Sequence, residues 1–132
     1  MTSKSDRHLI VLLSLVVAAD AGPEGPSIRK RRAMQLVLRS RFPDRGYADV
    51  QKLIAKANTG MPAITSGLDI MKITERQAEK LAATLPAEER EEALLTILDV
   101  AAAVPVISAQ SERILRVIAR TLDLSERLPA AA

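Results

Sequence analysis

Arg29-Lys30-Arg31-Arg32 is the densest run of functional groups in this 132-residue chain: four adjacent cations, with Arg39, Arg41 and Arg45 close behind. Such a run attracts anionic surfaces, whether acidic protein, nucleic acid or phospholipid headgroups, through Coulomb attraction and counterion release. The blander account is a solvated face balanced by Glu24 and by Glu88, Glu89, Glu91 and Glu92. Phe42 and Tyr47 are the only aromatics, so no stacking platform for single-stranded nucleic acid accompanies the cations. Nor does a helix with base-reading polar residues stand out. Acidic protein and anionic membrane are the partners that fit.

Catalytic chemistry has little to work with. The chain has no Cys, which excludes a thiol nucleophile, a disulfide framework, a zinc ribbon and an iron–sulfur site. His8 is the single histidine, so a Ser-His-Asp device would have to use it and a two-histidine metal site is impossible. Asp99 stands in the apolar stretch 96–104 and is expected to be partly buried, more often a packing accommodation than a general base. Glu75 and Glu79, beside Arg76 and Lys80, read as a surface charge lattice on one helix face. No Gly-rich phosphate loop, nucleophile elbow or metalloprotease motif occurs. The expectation is a non-enzymatic protein.

These residues need elements to hold them, and the composition points to helices. The chain is 48% hydrophobic but only 2% aromatic, so its core must be aliphatic, while 27% charge and a net +3 suit an ordinary folded domain. Apolar residues recur at helical spacing in segments near 6–20, 27–41, 47–58, 65–85, 87–103 and 109–122, separated by Gly- and Pro-bearing breaks. Asp6 is expected to cap the first helix, Ser27 the second and Ser108 the last, with Pro86 opening the helix before it. Nothing alternates with period two. The prediction is an all-α single domain over 1–132, a compact bundle of six or seven helices. Residues 59–73 mix apolar side chains with Gly60, Pro62 and Gly67 and are expected to form a loop over the core.

The apolar run Leu9–Ala19 admits a second reading. Lys4 and Arg7 precede it and Ala19-Asp20-Ala21 follows, the outline of a secretory signal ending near residue 21. The run is too short to cross a bilayer, which needs ~20 apolar residues. Asp6 and the acid within the cleavage triplet argue for a buried first helix instead.

The two halves also resemble each other. Val16-Val17-Ala18-Ala19-Asp20 aligns with Val100-Ala101-Ala102-Ala103-Val104, and after a break Ser27-Ile28-Arg29-Lys30 aligns with Ser108-Ala109-Gln110-Ser111. Two helix–break–helix units of this kind can share one core.

The stretch Ala87–Ser125, AEEREEALLTILDVAAAVPVISAQSERILRVIARTLDLS, resembles the second half of the TerB-like family of small helical domains, the tellurite-resistance type. The opening LIVLLSLVVAAD is similar to that family's first hairpin. The resemblance implies a cytoplasmic module of bacterial type in a tellurite or stress response, binding a partner protein or a divalent cation such as calcium, with homo-oligomers also within reach. It implies metal ligands at Asp20 and near Glu112. The other two equivalent places hold Val104 and Arg31, with Pro105 in the position of the family's glycine, so two carboxylates stand where four would be wanted and any cation held is weakly bound. Two rivals stand beside this reading: an adaptor that docks acidic protein or anionic membrane through Arg29, Lys30, Arg31 and Arg32, and a secreted helical protein that loses residues 1–21.

Overall fold

The apolar N-terminal run is a helix, α1 (Lys4–Ala18), and the other helices are built around it. Eight side chains between Leu9 and Val17 are buried on all sides of α1, which a helix tolerates only when neighbours enclose it. The computed structural model describes residues 3–19, 27–59, 67–104 and 107–128. Ser3, not Asp6, caps α1: the Ser3 hydroxyl accepts from the Asp6 N–H at 3.1 Å and the Asp6 carboxylate accepts from the Ser3 N–H at 3.1 Å. That reciprocal capping box needs a Ser with an acid three residues on, so Asp6 falls one turn inside the helix. A chain cut after residue 21 would lose the helix against which most of the fold packs.

Five helices follow: α2 (Ile28–Arg41), α3 (Tyr47–Ala57), α4 (Gly67–Thr84), α5 (Ala87–Ala101) and α6 (Ala109–Thr121), then a 3₁₀ turn at Ser125–Arg127. Among the described residues there is no strand, and no helix is long and apolar enough to cross a membrane. The fold is an all-α bundle. Helix α1 packs on α3, α4 and α5, while α4 also packs on α6 and α2 on α5. Leu38, Leu53, Leu81, Leu94, Ile114 and Ile118 carry the core into each of these five helices.

Two expectations change here. Residues 67–73, read both within a helix over 65–85 and as a loop over the core, are helical and form the first two turns of α4, whose buried stripe starts at Ile73 and runs on through Ala78 and Leu81; residues 60–66 lie outside the described residues. Asp99 is exposed: the register that buries Ile97, Val100 and Ala101 turns it outward.

Polar ties hold the helix ends. The Arg90 guanidinium donates to the Ala82 carbonyl at 2.8 Å and the Leu85 carbonyl at 3.0 Å, so the first turn of α5 closes the end of α4. The Asn58 amide donates to Ser14 Oγ at 2.9 Å and joins the end of α3 to α1. At the end of α6 the Leu124 N–H reaches the Ala119 carbonyl at 2.7 Å and the Asp123 N–H reaches that of Arg120 at 3.1 Å. This is a Schellman motif, with Asp123 in the left-handed position (φ 62°) that glycine favours.

Asp123→Gly is therefore expected to stabilise the fold by about 0.5–1 kcal/mol, relief of the left-handed strain exceeding glycine's entropy cost, as read from urea unfolding midpoints. Asp6 offers a pH test. Its partial burial pushes the carboxyl up, but the Ser3 N–H, the Arg41 guanidinium (Nε to Oδ1, 2.9 Å) and the Ser3 hydroxyl outweigh that and hold it below the ordinary value. A lowered folded-state value gives stability that is present above the unfolded value of about 4 and lost as pH falls through the folded one. Thermal melts of wild type and Asp6→Asn should therefore converge as pH drops from about 4 towards 2.

Candidate functional site

Helix α2 is amphipathic in an unusual sense, since one of its four clustered cations faces the core. Consecutive residues step by about 100° around a helix, so four in a row cannot share a face. Lys30, Met34 and Leu38, four apart, form the inward stripe, and Lys30 is fully buried. Its Nζ donates to the Val16 carbonyl at 3.0 Å and to Ser111 Oγ at 2.8 Å. Val16 lies in the last turn of α1, where carbonyls lack helical partners and the dipole favours a cation. Lys30 is thus removed from the surface expected of it, because the register that buries Met34 and Leu38 carries it inward.

The same contact joins the two repeat units. The Ser27 hydroxyl accepts from the Lys30 N–H at 3.4 Å, and the Ser108 hydroxyl accepts from the Ser111 N–H at 3.1 Å. Lys30 and Ser111 hold equivalent places three residues after equivalent caps, and their side chains meet between α2 and α6.

Arg29, Arg31 and Arg32 stay exposed and make no ion pair among the described residues, so the acids at 88–92 do not neutralise them. Glu91 instead pairs with Arg127 at 3.0 Å. Arg31, Arg32 and Arg39 border an open cleft of about 370 Å³ between α2 and α3, whose apolar lining is Ile28, Leu36 and Tyr47. Those three side chains are 58%, 64% and 59% exposed, unusually bare for large apolar groups. Gln35 and Gln51 complete the lining. The Gln35 amide donates to the Tyr47 carbonyl at 3.2 Å, but its buried Oε1 accepts from no group among the described residues. A second recess of about 210 Å³ adjoins it, sharing Arg31, Gln35 and Gln51.

The metal expectation fares differently. Asp20 lies outside the described residues. Glu112 is exposed and its Oε1 accepts from Arg116 at 2.7 Å, an ordinary pair within one helix. Among the described residues no three Asp, Glu or His side chains gather as ligands. A hard cation needs several such oxygens, whereas the junction of the two units is filled by an ammonium. His8 is equally committed: its Nδ1 lies 2.8 Å from Gln77 Oε1, a carbonyl oxygen that can only accept, which ties α1 to α4.

Comparisons with family models, with curated proteins and with solved structures find no match for this chain.

The cleft itself was not anticipated, because Gln35, Leu36, Tyr47 and Gln51 belong to two helices whose packing angle is not a local property. Lys30 carried a signal, being four residues before Met34 on the apolar stripe. Lys30→Met keeps most of the volume but strips the donor from Val16 and Ser111, so it is expected to cost about 1–3 kcal/mol of stability. Chemical unfolding midpoints check this, and an unchanged midpoint contradicts the assignment.

Proposed function

We propose that this chain is a non-enzymatic binding module that docks an acidic segment of a partner protein in the cleft between α2 and α3. The observation that carries the reading is the pairing of Arg31, Arg32 and Arg39, which make no ion pair among the described residues, with the bare apolar side chains of Ile28, Leu36 and Tyr47. Cations steer and orient an acidic ligand, while the apolar lining supplies burial that solvated charge alone cannot. A concave cleft of about 370 Å³ suits protruding side chains better than a flat bilayer. Kinship to the TerB-like family, with its cytoplasmic tellurite or stress-response setting, is supported by the short motifs of Ala87–Ser125 and of the opening LIVLLSLVVAAD. The cleft reading does not depend on it.

The test uses a labelled helical peptide with Glu and Leu at four-residue spacing, and vesicles of phosphatidylcholine with or without phosphatidylserine. Peptide binding is expected to weaken about tenfold or more from about 0.1 to 1 M salt, as the screening length falls from about 10 to 3 Å. It should be lost in Arg31→Glu/Arg32→Glu at unchanged melting temperature. Equal affinity for wild type and variant contradicts the proposal, and binding to phosphatidylserine vesicles without peptide binding replaces it with the membrane reading.

A further inference from the structure

Helix α5 carries on its outer face the charge complement of the cleft. Glu88, Glu92, Leu95 and Asp99 are all exposed, and their spacing of four, three and four residues puts them on one stripe along about three turns. Glu88, Glu92 and Asp99 make no ion pair among the described residues. Leu95 stands 52% exposed among them. Five large apolar side chains are exposed among the described residues: Ile28, Leu36 and Tyr47 in the cleft, Leu95 in this stripe, and Ile107. Two surfaces of opposite charge thus account for four of the five.

The registers also agree. Along α2, Arg32, Leu36 and Arg39 are separated by four and then three residues; read backwards along α5, Asp99, Leu95 and Glu92 are separated by four and then three. Laid antiparallel, Arg32 faces Asp99, Leu36 faces Leu95 and Arg39 faces Glu92. Both triplets cover about 10 Å at 1.5 Å per residue. Antiparallel helices also bring opposite dipole ends together. The resulting contact is an apolar pair flanked at each end by an ion pair, the arrangement in which rim charges shield a dry centre.

We infer that the α2–α3 cleft takes the acid-and-leucine stripe of α5 from a second copy of this chain. The inference rests on the cleft of the proposed function and names one occupant for it. The contact joins two different patches, so it closes as a two-fold dimer when both clefts fill at once and otherwise extends from copy to copy. In either case the chain carries its own competitor for the acidic partner, and self-association and partner binding exclude one another at each cleft.

Analytical ultracentrifugation tests this with the intact chain. The average mass of wild type is expected to rise above 14.3 kDa as the protein is concentrated to about 1 mM, a range that a contact this small requires, and to return to 14.3 kDa in about 1 M salt. Arg32→Glu/Arg39→Glu carries acid on both patches and Glu92→Arg/Asp99→Arg carries base on both, so each alone should stay at 14.3 kDa with an unchanged melting temperature. An equimolar mixture of the two should associate again, because each cleft then meets a stripe of opposite sign. That rescue is a result which damage to folding cannot mimic. Wild type that stays monomeric, charge-reversed variants that associate like wild type, or a mixture without rescue overturns the inference. If wild type stays monomeric yet binds the acidic peptide, only the self-contact falls. If it does neither, the cleft reading falls with it.

Discussion

A buried ammonium is the constraint around which this fold is organised. Removing a lysine from water costs several kcal/mol unless acceptors are assembled for it, so the helices must arrive in an arrangement that supplies them. Here they come from both halves of the chain, a last-turn carbonyl of α1 at Val16 and a first-turn hydroxyl of α6 at Ser111, and Lys30 spans them from α2. Apolar packing alone tolerates helices that slide or rotate by a fraction of a turn. An ammonium whose acceptors lie 2.8 and 3.0 Å away does not. Lys30 thereby fixes the rotation of α2 about its own axis.

That rotation decides what the molecule shows to solvent. With Lys30, Met34 and Leu38 inward, Arg31, Arg32, Leu36 and Arg39 have no place but outside, bordering the recess that α3 completes with Tyr47 and Gln51. The buried cation and the exposed cations of one sequence run are thus separated by a single helical step. Hydrogen bonds at the helix ends hold the frame: Ser3 with Asp6, Asp6 with Arg41, and Arg90 on the end of α4. None of them uses Arg31, Arg32 or Arg39.

Much of this was legible in the residues. Six helices appear where aliphatic stripes at 3.6-residue spacing predict them, with Ser27, Pro86 and Ser108 at the expected starts. Local rules misled where a neighbour won. Ser3 outcompeted Asp6 for the cap, and the segment with breakers is helical from Gly67 on, its Ile73, Ala78 and Leu81 held by the core. The repeat alignment paired Lys30 with Ser111 without revealing that the two side chains touch, since contact across 81 residues is a matter of tertiary packing. The site was legible only as a run of charge. Its depth and its apolar lining arise between helices.

The central claim is that Lys30 alone among the lysines belongs to the interior. Lys4, Lys52, Lys56, Lys72 and Lys80 are exposed. Time-resolved acetylation of the native protein, read by peptide mass spectrometry, measures that difference residue by residue. Those five lysines should react together at the rate of free amines, while Lys30 reacts only through opening of the fold and so falls far behind them. A Lys30 that is modified as fast as Lys52 and Lys56 would place it at the surface and contradict the account.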